Sequence, residues 1–154
     1  MDVHYSSKTD NWATPQTFFD RLNTEFKFTL DPCADKDNAK CGKYYTADDD
    51  GLSQDWAGER VFMNPPYGRA ISDWVRKAYE ESTKGALVVA LIPARTDTRY
   101  WHDYVMRAKE IRLVKGRLKF GDGRNSAPFP SAVVIWDGVD SQRVPRLSTM
   151  VNYV

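Results

Sequence analysis

Cysteine and histidine are scarce in this chain of 154 residues, with two of each. Cys33 and Cys41 are too few for a disulfide framework. Together with His4 and His102 they form no CxxC or HExxH spacing that would hold zinc, so no metal is expected. Long apolar runs are missing as well. The longest, Ala86 to Pro93, falls far short of the roughly 18 residues a membrane span needs, and no membrane partner is expected. Met1-Asp2-Val3-His4-Tyr5 is polar and acidic rather than a basic-then-apolar leader. GxSxG, P-loop and GxGxxG patterns do not occur, which disfavours serine hydrolases, P-loop phosphotransferases and dinucleotide oxidoreductases. Finally, charge of one sign is lacking: 22 Lys+Arg stand against 21 Asp+Glu, a formal net charge of +1. That balance argues against a wholly basic nucleic-acid binder. The expectation is a soluble intracellular protein, and at this length one domain, since a domain takes about 100–200 residues.

What the chain does have is aromatic side chains and a charge gradient. Five Trp, eight Tyr and seven Phe supply enough apolar surface to exclude intrinsic disorder. Residues 1–77 carry 10 basic and 13 acidic side chains, whereas residues 78–154 carry 12 and 8. Arg107, Lys109, Arg112, Lys115, Arg117, Lys119 and Arg124 fall close together against only Glu110 and Asp122. This asymmetry suggests one surface for a polyanion and another for a different ligand, although a solvated charged strand and loop would read the same way.

The order of elements follows from periodicity. Thr14-Pro15 reads as a helix start, Thr as N-cap and Pro at the first helical position, followed by the apolar stripe Phe18, Leu22, Phe26. Phe26 to Leu30 alternates and predicts a strand ended by Asp31-Pro32. Short strands are expected at Lys43–Thr46 and Arg60–Met63, and a helix at Ile71, Trp74, Val75, Ala78. Ala86–Ile92 is apolar throughout, as in the middle of a parallel sheet. Trp101, Tyr104, Val105 and Ala108 predict another helix, capped by Thr96 or Asp97. Ile111–Val114 and Ala132–Trp136 predict two strands joined without a helix, hence an antiparallel pair, and the tail after Asp140 reads as a loosely ordered end. Strands alternating with helices predict an α/β sheet.

Chemistry concentrates in Asn64-Pro65-Pro66-Tyr67, at the carboxyl end of a predicted strand, where open α/β sheets bind ligands. Two prolines remove two N–H donors and stiffen the loop. The groups left to face a substrate are acceptors, the Asn64 side-chain oxygen and the prolyl carbonyls, beside the ring of Tyr67. Such a set suits a planar heterocycle bearing an NH2 group. Holding both N–H bonds frees the nitrogen lone pair from the ring to attack an electrophile. Asp31, followed by Pro32, Cys33 and Ala34, offers a carboxylate at the first strand's tip with an unobstructed approach. Asp48-Asp49-Asp50 offers carboxylates for a ribose or an amine, or a solvated turn. Its spacing is wrong for a calcium loop. The stretch 116–131 interleaves bases with Phe120 and Phe129; basic groups pair with phosphates and aromatic rings stack on or wedge between bases. Arg95 and Arg99 extend that rim, and a flexible hairpin tip is the plainer alternative.

Together, Trp12-Ala13-Thr14-Pro15, Leu30-Asp31-Pro32-Cys33-Ala34, Asn38-Ala39-Lys40-Cys41, Asp49-Asp50-Gly51-Leu52, Asn64-Pro65-Pro66-Tyr67-Gly68-Arg69, residues 91–98 and Gly116-Arg117-Leu118-Lys119-Phe120 resemble, in order, the phage-type DNA N6-adenine methyltransferases. These Dam-like enzymes are of class I and depend on S-adenosylmethionine. The resemblance spans roughly residues 10–137. It implies a Rossmann-like sheet, mostly parallel with a C-terminal antiparallel strand and helices on both faces. It implies that Asn64, Pro65, Pro66 and Tyr67 bind a flipped-out adenine. It also implies that Trp12, Thr14, Asp31, Pro32, Cys33, Ala34 and Asp50 (or Asp48 or Asp49) surround the methyl donor. Arg69, Arg95, Arg117, Lys119, Phe120 and Arg124 are the expected contacts to double-stranded DNA. A second subunit is an option, since no separate target-recognition region is evident, and the compartment implied is the cytoplasm of a bacterial host. One departure is that Pro32-Cys33-Ala34-Asp35 stands where methyltransferases carry a Gly-x-Gly turn. Alternatives with the same motif act on cytosine N4 or a glutamine amide. A non-catalytic DNA-binding module and a metal-dependent nuclease using Asp48–Asp50 are readings of other classes.

Overall fold

Three consecutive residues buried in one strand mean that both faces of the sheet are covered, because side chains alternate. Arg60–Met63 (β3) shows this, with Val61, Phe62 and Met63 all at most 1% exposed. Leu87–Pro93 (β4) shows it over a longer span. The computed structural model describes residues 11–138 and 144–151. Residues 1–10, 139–143 and 152–154, with His4 and the start of the expected tail after Asp140, lie outside them. Seven strands form one sheet: Leu30–Asp31 (β1), Lys43–Tyr44 (β2), β3, β4, Glu110–Lys115 (β5), Ser131–Asp137 (β6) and Arg146–Val151 (β7). Their spatial order is β2-β1-β3-β4-β6-β5-β7. All run parallel except β6, which lies antiparallel between β4 and β5. The mostly parallel α/β sheet with a late antiparallel strand is therefore as expected.

Helix α1 (Gln16–Phe26) buries Phe18, Phe19, Leu22 and Phe26, and the Phe19 ring meets Phe62 edge-on at 5.0 Å. Helix α2 (Ile71–Ser82) buries Ile71, Trp74, Val75 and Ala78, the predicted stripe, in the crossover between β3 and β4. Its last turn also buries Glu81, which accepts from the Trp56 amide at 2.6 Å and pairs with Lys77 and Lys84. Helix α3 (Arg99–Asp103) is short and passes into a 3-10 turn at Val105–Arg107.

Several local expectations are corrected. Phe26 ends α1 rather than opening a strand: Lys27 takes a left-handed conformation (φ 53°) and closes the helix, leaving only Leu30–Asp31 as strand. Thr98, not Thr96 or Asp97, caps α3. Within the tail expected to be loosely ordered, Arg146–Val151 pairs with β5 along its whole length, and Arg21 donates to the Val151 carbonyl.

Candidate active site

Because β6 alone is reversed, β1, β3 and β4 deliver their carboxyl ends, Asp31, Met63 and Pro93, to one edge of the sheet, with β5 ending there at Lys115. A cavity of about 640 Å³ opens at this edge, lined among others by Trp12, Thr14, Asp31, Cys33, Ala34, Asp48, Asn64 and Pro65. Segments distant in sequence thus meet in one site.

Asp31 is 5% exposed, and its two carboxylate oxygens accept from the Cys33 amide (3.2 Å) and the Lys40 amide (3.0 Å). Those bonds close the loop that leads from β1. Burial raises the Asp31 carboxyl above its usual range and outweighs the two hydrogen bonds, which lower it. Burial likewise pushes the Cys33 thiol up, and Cys41 to about 12, so neither is a reactive thiolate at neutral pH.

The acidic loop 46–51 is locked to the first. Asp49 Oδ2 accepts from the Thr46 amide and hydroxyl at 2.9 and 3.1 Å. A Cβ on Gly51 would stand 2.3 Å from the Pro32 carbonyl oxygen, so only glycine allows this approach. Asp50, in a left-handed conformation (φ 53°), starts the 3-10 turn Gly51–Ser53 and does not line the cavity. Asp48 does, as an exposed carboxylate. Pro32 also lies off the cavity wall, buried beneath Gly51. Among the described residues no three His, Cys, Asp or Glu side chains converge as metal ligands.

Asn64 holds the centre. Its Nδ2 donates to the Trp12 carbonyl and, at 2.8 Å, to Thr14 Oγ1. Its Oδ1 is buried and has no hydrogen-bond partner. Thr14, expected to cap α1, is 6% exposed and makes no cap; its hydroxyl is taken up by Asn64, and Pro15 stands at the N-cap. Buried polar atoms almost always find partners, so this lone acceptor, on a residue that lines the cavity, has unused capacity for a donor.

Tyr67 sits differently from the sequence expectation. It is 3% exposed, its hydroxyl donates to the Leu91 carbonyl at 3.0 Å, and burial raises that hydroxyl well above its usual range. Phe120 and Phe129 pack edge-on against it, at 6.3 and 5.4 Å between ring centres. Trp12 closes the cluster against the same two rings, at 5.7 and 5.2 Å. Phe120, expected on the DNA-facing surface, is thus an interior residue (6% exposed), because its ring is worth more against three other rings than in water. The bases around it do face solvent. Arg69, Arg95, Arg117, Lys119 and Arg124 are exposed on loops leaving the same sheet edge. The Arg95 guanidinium lies over the Phe129 ring, Arg117 donates to the Ala127 carbonyl at 3.1 Å, and Arg124 pairs with Asp122.

Residues 3–152 match the family model described as DNA N-6-adenine-methyltransferase (Dam). A DNA N-6-adenine-methyltransferase of Haemophilus phage HP1 is 34% identical over 96% of this chain and 88% of its own length. One of Escherichia phage T1 is 30% identical over 71% of this chain and 46% of its own. A crystal structure titled a predicted O-methyltransferase, from Agrobacterium tumefaciens, covers 77% of this chain and 58% of that one at a TM-score of 0.41 and 20% identity. With the family model spanning residues 3–152 and a phage relative 34% identical over 96% of it, this chain belongs to the DNA N-6-adenine-methyltransferase (Dam) family.

Proposed function

We propose that this chain methylates N6 of an adenine flipped out of double-stranded DNA, with the amine held at Asn64. The observation that carries the reading is the Asn64 Oδ1, a buried acceptor without a partner on a cavity wall that also presents Asp31. The cavity suits S-adenosylmethionine: its 640 Å³ falls in the range of about 300–1,000 Å³ for ligand sites, and carboxylates at Asp31 and Asp48 suit a cationic, ribose-bearing molecule. When bound, that donor supplies an electrophilic methyl group on a sulfonium centre.

The chain's own residues supply position and acceptors. Asn64 Oδ1 takes one amine hydrogen and the Pro65 carbonyl the other, so that the nitrogen lone pair points at the donor side of the cavity. Preorganised acceptors at a developing positive nitrogen stabilise the transition state without having to reorient. The surplus proton then leaves to solvent. Flipping the base costs a few kcal/mol. Trp12, half-buried on the cavity wall, is the ring offered to the base as the 116–130 loop stands; stacking on Tyr67 requires Phe120 and Phe129 to move off it. The exposed bases Arg69, Arg95, Arg117, Lys119 and Arg124 take the phosphates.

The test is Asn64→Ala. Methyl transfer to adenine should fall by about two to three orders of magnitude, the usual effect of removing one preorganised hydrogen bond at a reacting centre, while donor binding by calorimetry persists. Nucleoside analysis of treated DNA should show N6-methyladenine. Undiminished transfer by the variant, or a different modified nucleoside, overturns the reading.

A further inference from the structure

We infer that the Trp12–Thr14 segment is the device that orients the acceptor of Asn64, with Thr14 acting as a positioning residue rather than solely as a wall of the donor pocket. The inference rests on the reading of Asn64 given above.

A primary amide presents two chemically opposite ends, and which one faces the cavity decides whether the site accepts or donates. Here the choice is forced by an acceptor that has no alternative. The Trp12 main-chain carbonyl can only accept, so the amide end that meets it must be Nδ2. Thr14 Oγ1 accepts the second Nδ2 hydrogen at 2.8 Å. With both hydrogens held, Oδ1 is turned away from the segment and left as the orphan acceptor. Both partners lie far from Asn64 in sequence, just ahead of α1, and Thr14 is 6% exposed, so solvent competes little for its hydroxyl. The segment is itself anchored: the Ala13 carbonyl accepts from the Gly121 amide at 3.0 Å, and Trp12 packs edge-on against Phe120 and Phe129. The aromatic cluster thus holds in place the backbone that sets the amide.

A consequence separates this site from one in which any acceptor would serve. An aspartate at position 64 would place carboxylate oxygen against the Trp12 carbonyl. The Thr14 hydroxyl can rotate to donate to it, but the carbonyl cannot. This chain is therefore built for asparagine, and an acidic residue there is disfavoured although its oxygens could in principle accept from an amine.

Three variants test it, with single-turnover methyl transfer at saturating donor and calorimetric donor affinity as the two readouts. Thr14→Val removes the acceptor at nearly constant volume. The rate at saturating donor should fall about 2- to 12-fold, the equivalent of one neutral hydrogen bond, whatever loss of donor affinity accompanies it. Thr14→Ser should recover most of the rate. Asn64→Asp should lose more than tenfold in rate and melt at a lower temperature at neutral pH. Its melting temperature should approach that of the wild type on acidification, as a protonated carboxyl regains a donor for Trp12. Asp31, Asp35, Asp48, Lys36 and Lys40 also line the cavity, so the wild-type pH profile is the reference. If Thr14→Val transfers at the wild-type rate, or loses donor affinity alone, the positioning role is overturned. An Asn64→Asp enzyme as fast and as stable as wild type overturns it as well. Neither outcome touches the acceptor role of Asn64, which fails only if Asn64→Ala is active.

Discussion

Two cavities lie at opposite ends of the sheet, and they handle polar groups in opposite ways. The one at the carboxyl ends leaves Asn64 Oδ1 unanswered and Asp48 exposed on its wall. The other, about 530 Å³, is lined by Glu25, Arg60, Lys109, Glu110, Arg112, Asp137 and Arg146. There the charges answer one another. Arg112 donates to both oxygens of Glu25 (2.8 and 2.6 Å) and to Glu110, Lys109 pairs with Asp137, and Arg60 donates to the Phe26 carbonyl. A cavity of similar size and richer in charge is therefore the weaker candidate for a ligand. Unmet hydrogen-bonding capacity, rather than volume or charge, separates a site from a structural joint.

The comparison is broken most severely at Asp31. Asp31→Asn removes a charge and replaces one acceptor by a donor against backbone N–H groups. Donor affinity by calorimetry should drop tenfold or more, with a few degrees lost in melting temperature. Because burial raises this carboxyl, the wild-type enzyme should bind the cationic donor less well on acidification at pH values above the ordinary Asp range near 3.9. In Asp31→Asn that dependence should flatten. A smaller effect is expected from the rim. Lys119→Ala or Arg95→Ala should weaken DNA binding severalfold and uniformly across sequences. Each should reduce by about one the slope of log affinity against log salt, measured by fluorescence anisotropy.

Least affected in activity should be Arg112→Ala, at the far cavity. The Arg112 hydrogen bond holds the Glu25 carboxyl below its usual range. For Glu110 burial acts upward, but hydrogen bonds from Arg112 and Ser148 outweigh it. Both carboxylates thus contribute stability that is present above their unfolded values near 4.5 and lost as pH falls through the lower folded ones. The variant should unfold at a lower denaturant concentration at pH 7, with the gap closing in acid, while methyl transfer per folded molecule stays at the wild-type level. A rate loss there would tie the two ends of the sheet together.

Much of this division is legible in the residues. The uninterrupted apolar run Ala86–Ile92 announces a central strand, and spacing at Ile71, Trp74, Val75 and Ala78 announces the face of α2. Asn64-Pro65-Pro66-Tyr67 stands out because two prolines after a strand strip the loop of donors. Less legible are features that depend on partners far along the chain. Thr14-Pro15 has the local form of a helix start, and nothing nearby reveals that its hydroxyl serves Asn64. The acidic run offers three equivalent carboxylates until Asp49 is occupied by Thr46 and Gly51 is pressed against Pro32, which leaves Asp48 on the wall. Phe120, set among bases, reads as a surface ring; its burial follows from Trp12, Tyr67 and Phe129 converging on it. Nor does alternation mark β7, an edge strand whose apolar residues, Leu147 among them, are left 67% exposed at one position.

Periodicity and composition by themselves determined most of the helices and strands, β7 and the entry to β1 excepted, and which strand-ending loop is stripped of main-chain donors. Those are local properties, set by the period of side chains around an element and by the bonding capacity of each residue. Only the tertiary structure decided which end of the Asn64 amide is tied to Trp12 and Thr14, which member of the acidic run reaches the cavity and which rings turn inward. Hydrogen bonds between side chains fifty residues apart have no trace in spacing; they exist only once the sheet brings its strand ends together.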